Sequence, residues 1–368
     1  MGNTHNHAET VGSLQRPQYL LDARVAHQKG VISTAKFKRT EDRAVDEAIA
    51  LQESVGLQVI TDGEQRRHSF LDYIVKASTG LSAVESLGFT LRGLNGDPDI
   101  PMKMPVSVTE RVRSKCSTMN TEEFVYLRAK TAKLVKVTVP SPLCYLVFIG
   151  ENTRSVYDDP FDLFYDAAIM LREECARLSE LGCEYIQIDA PELTWPGDPF
   201  LRETAFPERL VSADRFAGEA CDLLNTVTDV PNVRFGIHLC RGNHPTHAFS
   251  LGSYEAVAAK AFKKLKNVTT FLLEYDDPRS GSFECLTEVP EDKSVVLGLI
   301  SSMKRPTLES PNELVRRIED AARYFPRANL AISPQCGFCS QLGFTGFDRA
   351  VQEAKLRLLV DVARRVWA

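Results

Sequence analysis

No apolar run in the chain approaches the roughly 20 residues that a membrane-spanning helix needs. The opening MetGlyAsnThrHisAsnHisAlaGluThr has no basic stretch followed by an apolar one, so it does not read as a secretory signal. Both absences predict a cytoplasmic protein without a membrane partner. Positive charge is not in excess either. The formal net charge is -5, and the Lys and Arg residues are scattered among acids, which argues against a nucleic-acid footprint. Solenoid repeats and low-complexity tracts are missing as well.

What is present suits a globular fold: 43% of residues are hydrophobic and 25% charged, enough apolar surface for a large core. At 368 residues the chain fits one large α/β barrel with an insertion as easily as two ordinary domains, and length alone does not choose. Its nine cysteines, in a chain without a secretory signal, are expected to be reduced. Cys175, Cys183 and Cys221 sit in apolar periodic patterns and read as small core hydrophobes.

A repeating unit organises the chain: a short apolar or β-branched run, a few polar residues, then a long amphipathic segment. The strand-like runs fall at 10 to 14, 57 to 64, 135 to 142, 185 to 191, 234 to 240, 270 to 276, 295 to 300 and 330 to 337. Eight such units predict a TIM (β/α)₈ barrel over residues 1 to 368, with chemistry at the C-terminal strand ends. Helices are expected over 161 to 181, over 311 to 324 after an N-capping Ser310, and over about 347 to 367. Residues about 76 to 120, rich in Gly, Pro and Ser, break the rhythm and predict an insertion over the barrel mouth.

The expected strand ends carry the candidate chemistry. His238 and Cys240 are two apart, so strand alternation aims both at one face. Glu274 ends the next run and Cys336 the last one. Two thiolates with an imidazole favour Zn²⁺, and a carboxylate that can leave gives an exchangeable fourth position. A HisxCys pair alone is a weak signal, and Cys339 competes with Cys336 through the CysxxCys spacing, although Cys336 lies nearer the strand end. His244 and His247 read as loop or substrate groups, and His5 and His7 are assigned nothing. Glu64 and Asp189 also follow apolar runs, where they either hold a substrate ammonium or pair with arginines such as Arg66 and Arg67.

Taken together, ValGlySerLeu (11 to 14), HisLeuCysArgGlyAsn, GluTyrAspAspProArgSerGly and SerProGlnCysGlyPhe resemble the catalytic C-terminal barrel of cobalamin-independent methionine synthase, especially its short stand-alone members. The family belongs to the wider uroporphyrinogen decarboxylase/methionine synthase-like group. The resemblance implies a zinc-dependent methyltransferase of 5-methyltetrahydropteroyltriglutamate–homocysteine S-methyltransferase type, which makes methionine from homocysteine and a methyl donor. It implies zinc ligation by His238, Cys240, Glu274 and Cys336. It also implies contacts from Ser13 to homocysteine, an ammonium site at Glu64 and Asp189, and an aromatic donor platform near Tyr145. The chain has no room for the second barrel of the full-length synthase, and 298 to 304 lacks the family's general-acid histidine. An epoxyalkane:coenzyme M transferase shares the zinc core, but its sulfonate-bearing thiol suits Glu64 and Asp189 poorly. A metal-free decarboxylase-like barrel or a non-catalytic binding protein shares the fold. A homo-oligomer is compatible with all of these.

Overall fold

Buried backbone N–H and C=O groups must be paired, and short runs of Val, Ile and Leu achieve this by lying side by side with both faces covered. In the computed structural model, which describes residues 7–115, 119–303, 305–344 and 346–367, such runs form one seven-stranded sheet. Its strands are β1 (Val59–Ile60), β2 (Leu134–Pro140), β3 (Tyr185–Asp189), β4 (Arg234–Leu239), β5 (Val268–Glu274), β6 (Ser294–Ile300) and β7 (Leu330–Pro334). Neighbours follow chain order and every pairing is parallel.

The expected first strand at 10 to 14 is replaced by an extended segment that closes the ring between β7 and β1. Ala8 bridges Ile332, and the Glu9 N–H donates to the Ile332 carbonyl at 3.2 Å. Further along, the Leu14 N–H donates to Gly63 O at 3.0 Å, and Thr61 Oγ1 donates to Gly12 O at 2.8 Å. Loop and side-chain partners thus take the bonds that a strand ladder would have used. β1 is cut to two residues for a related reason. Gly63 and Glu64 adopt φ of 67° and 54°, left-handed values that swing the chain into the barrel mouth.

The helices between the strands match their sequence signals. α1 (Pro160–Glu180) starts where the Asp159 carboxylate accepts the Phe161 N–H at 3.0 Å, and α2 (Ala213–Val227) packs on it through edge-on rings of Phe164 and Phe216. α3 (Pro311–Ala321) is capped by the Ser310 hydroxyl, and α4 (Arg349–Trp367) closes the outer layer. No helix among the described residues is long and apolar enough to cross a membrane.

The segment about 76 to 120, of which 116 to 118 lie outside the described residues, holds two small antiparallel pairs. Leu81–Ser82 pairs with Ser107–Val108, and Phe89–Gly93 pairs with Ile100–Met102. Phe89–Gly93 also pairs with His247–Ala248, in the loop after β4, which ties this segment across the mouth. Buried Arg209 adds bonds to the Leu87 and Gly88 carbonyls at 3.1 and 2.9 Å. His7 is fixed rather than loose: its Nδ1 lies 2.7 Å from Leu330 O, and its ring stacks on Trp367. His5 lies outside the described residues.

Candidate metal centre and active site

The four candidate ligands converge where β4, β5 and β7 end. Ligand atoms of His238, Cys240, Glu274 and Cys336 all lie within 4.8 Å of one another. Cys240 Sγ is 3.5 Å from Cys336 Sγ, and His238 Nε2 is 3.9 Å from Glu274 Oε1. A tetrahedral zinc with bonds of about 2.0 to 2.3 Å has ligand–ligand edges of roughly 3.3 to 3.8 Å; the sulfur–sulfur edge of these donors falls in that range, and the wider edges, up to 4.8 Å, would close slightly on an ion. Their free valences agree. His238 Nδ1 sits 3.2 Å from Leu272 O, which fixes the proton on Nδ1 and leaves the Nε2 lone pair; that Nε2 and Glu274 Oε2 are buried without a hydrogen-bond partner.

Burial makes this cluster hostile to bare charge. Desolvation lowers His238 to about 3, so its imidazole is neutral, and raises Glu274 well above the carboxylate range. The hydrogen bond with Cys336, then burial, pushes the Cys240 thiol up. A cation among them reverses this logic, because it stabilises thiolate and carboxylate together.

A surrounding layer that the sequence reading did not single out holds these groups in place. Asn243 Nδ2 donates to Glu274 Oε1 at 2.5 Å and to Cys240 Sγ at 3.6 Å, while the Gly242 N–H reaches the same sulfur at 3.3 Å. The Tyr254 hydroxyl donates to Leu239 O at 2.6 Å and accepts the Glu274 N–H at 2.8 Å, pinning the ends of β4 and β5 together. Asn243 was legible in the HisLeuCysArgGlyAsn run; Tyr254, fifteen residues past its partner, carried no local signal.

Cys339 is outside the cluster. Its thiol contacts Gln341 O at 3.5 Å, and its N–H donates to Ser13 Oγ at 3.3 Å. Ser13 lies so close to the loop after β7 that a Cβ on Gly337 would be 2.0 Å from Ser13 Oγ, so any larger residue there would push that hydroxyl out of its place. His244 and His247 also stand apart: His244 packs edge-on against Phe344, and His247 Nε2 bonds Pro98 O at 2.9 Å.

Glu64 and Asp189 both face the same space as the cluster. Arg66 pairs with Asp42 at 2.7 Å and Arg67 with Glu123 at 2.6 Å, so those arginines are engaged with other acids. Glu64 Oε1 accepts from Thr138 Oγ1 at 3.0 Å, and its Oε2 is buried without a partner. Asp189 takes a bond from Gln187 Nε2 at 2.8 Å. Burial, and then the charge of Glu64, raises Asp189 to about 7; burial raises Glu64 too. Two such carboxyls in one cavity wall, close enough for the charge of one to raise the other, make a strong site for a cationic group.

One cavity of about 390 Å³ has Ser13, Glu64, Asp189, His238, Cys240 and Cys336 in its walls. Above them Phe89, Met102, Met104, Trp195, Phe249 and Phe344 make the rest largely apolar. Tyr145 is not in this wall. It is buried in the 3₁₀ turn Pro142–Phe148, tilted against Phe148, and the aromatic rings in the cavity wall come from elsewhere, among them Trp195, 4.5 Å from Phe249. The donor-platform expectation for Tyr145 is therefore corrected: its turn packs it inward.

The family model described as cobalamin-independent synthase, catalytic domain, matches residues 7–365. The chain belongs to that family. It is accordingly a methyltransferase of the methionine synthase group with a TIM-barrel fold. Bacillus subtilis YxjH is 31% identical over 382 residues, covering 98% of this chain and 94% of its own length. A 5-methyltetrahydropteroyltriglutamate–homocysteine methyltransferase of Bacillus licheniformis is 26% identical across 89% of this chain, which spans only 39% of that protein. The structure of a B12-independent methionine synthase from Shewanella sp. W3-18-1, in complex with selenomethionine, superposes with a TM-score of 0.76 at 20% identity, covering 98% of this chain and 97% of that one.

Proposed function

We propose that this methionine synthase family member is a zinc-dependent S-methyltransferase that moves a methyl group onto homocysteine sulfur to give methionine, with the whole chain working as one cytoplasmic catalytic barrel. The observation that carries the reading is the clustering of His238, Cys240, Glu274 and Cys336, three of which, His238, Cys240 and Cys336, line the same cavity as Glu64 and Asp189.

In this reading His238, Cys240, Glu274 and Cys336 hold Zn²⁺. A zinc-bound thiol is deprotonated outright, whereas a free one has a pKa near about 8.5, so the metal supplies a thiolate at neutral pH. Glu64 and Asp189 hold the substrate ammonium and aim the thiol-bearing chain at the cluster. Ser13 steadies the substrate carboxylate. The apolar walls keep water away from the sulfur, whose nucleophilicity water would dampen. Asn243 and Tyr254 fix the ligand geometry.

The epoxyalkane:coenzyme M transferase reading shares the metal cluster. Buried carboxyls at 64 and 189 count against it, because a sulfonate there would face like charge. The test has two arms. Protein purified without chelator is assayed for zinc, with about one per chain expected from a four-ligand site; it is then incubated with homocysteine or coenzyme M against 5-methyltetrahydrofolate, methylcobalamin and simple epoxides. Methionine as the product supports the proposal. Zinc far below stoichiometry, or alkylation of coenzyme M alone, overturns it.

A further inference from the structure

The short turn after β3 places an acid that the thiol chemistry above does not use. Residues Pro191–Gly197 form a 3₁₀ turn, with three residues per repeat, so Glu192 and Trp195 fall on one face. Both line the cavity. Glu192 is 2% exposed, and its Oε2 has no hydrogen-bond partner. An unpaired buried carboxyl oxygen costs stability, so its retention beside a substrate cavity points to a job there.

We propose that Glu192 is the catalytic acid for the methyl donor, handing its proton to the leaving nitrogen of an N-methyl amine-type donor as the homocysteine sulfur takes the methyl group. The inference rests on the S-methyltransferase reading. As the S–C bond forms and the C–N bond breaks, the C–N electron pair returns to nitrogen. The Glu192 proton neutralises it and leaves a carboxylate, which water reprotonates. Trp195, on the same face, offers the donor a flat wall.

The surroundings keep this carboxyl protonated at neutral pH. Burial raises it to about 8, opposed by a hydrogen bond with the Cys144 thiol and aided by the negative charge of Asp189. Glu64 shares the cavity, as do His238 on β4 and Cys240 just past its end. Charged residues on flanking helices bond elsewhere: Asp214 to Arg202, Arg215 to Glu219, and Glu255 to Ser282. No cationic side chain is recorded as an ion-pair partner of Glu192 among the described residues.

The experiment compares wild type with Glu192→Gln and Glu192→Asp. Infrared difference spectra of the zinc-loaded enzymes, without donor, look for the C=O stretch of a protonated carboxylic acid that vanishes above pH about 8 and is missing in Glu192→Gln. Turnover of homocysteine is then followed with 5-methyltetrahydrofolate, whose leaving nitrogen takes a proton, and with trimethylsulfonium, whose thioether leaves neutral. Glu192→Gln should lose about 100-fold or more with the nitrogen donor, lose the alkaline fall in rate, and keep trimethylsulfonium turnover and zinc content. Glu192→Asp should retain the alkaline fall at a lower rate. Equal losses with both donors, an unchanged pH profile, or no Glu192-dependent infrared band overturns the proposal. A wild type that alkylates no homocysteine with either donor defeats the S-methyltransferase reading, and the infrared band still decides whether Glu192 holds a proton.

Discussion

Replacing Tyr254 by Phe tests whether the metal cluster is held from behind. The ring is 1% exposed and its hydroxyl makes two bonds, donating to Leu239 O at 2.6 Å and accepting from Glu274 N at 2.8 Å. Phe fills the same space but leaves that carbonyl and that N–H buried without partners. Each orphan costs about 1 to 3 kcal/mol, so the pair costs about 2 to 6 kcal/mol, with the middle of that range expected because the ring packing is kept. The same loss unpins the strand end carrying His238 and Cys240 from the one carrying Glu274. Metal affinity should then fall by roughly 10- to 100-fold, the usual effect of removing a group that orients ligands. Urea melts of the chelated protein give the stability, and competition with a chromophoric chelator gives the zinc affinity. A stability change within about 0.5 kcal/mol together with unaltered zinc affinity would refute the argument.

Asp189, raised to about 7, must ionise to hold an ammonium, so homocysteine binding should weaken as pH falls through about 7. Asp189→Asn should raise KM for homocysteine by roughly 10- to 100-fold, the worth of a charged hydrogen bond, and flatten that pH dependence; a KM independent of pH in the wild type counts against the ammonium site. Cys336→Ser should abolish zinc binding and turnover, whereas Cys339→Ser, whose sulfur lies outside the cluster, should leave both intact when metal content and methionine formation are measured side by side. Lys136 is fully buried against Glu9 at 2.7 Å, so Glu9→Gln should destabilise the protein by about 3 to 5 kcal/mol in denaturant melts by stranding a charge. Lys136→Met with Glu9→Leu should recover much of that loss.

The barrel was legible because parallel strands buried on both faces must be apolar, and β2 to β7 fall on the apolar runs anticipated for them. Where backbone bonds went to loops, the pattern misled: the apolar run at 10 to 14 is extended but unladdered, and the run at 57 to 64 keeps only two paired residues before Gly63 and Glu64 turn. The His238 and Cys240 pair was readable from strand alternation, and Glu274 and Cys336 from their places at strand ends. Spacing left Cys336 and Cys339 open, and only the fold shows that it is Cys336 whose sulfur lies beside the other three side chains. Tyr145 failed for a different reason. An aromatic residue after a strand is visible in sequence, but the direction it takes inside a 3₁₀ turn depends on neighbours such as Phe148. Tyr254 and Glu192 stayed hidden because their importance comes from contacts with groups that only the fold brings near.

The central claim is that His238, Cys240, Glu274 and Cys336 bind zinc and that the homocysteine sulfur joins them. X-ray absorption at the zinc edge, recorded with and without homocysteine, tests it most directly. Two sulfur and two nitrogen or oxygen neighbours are expected in the resting enzyme, and three sulfurs once homocysteine is added. A sulfur count that stays at two with bound homocysteine, or a zinc site that survives Cys336→Ser unchanged, would contradict it.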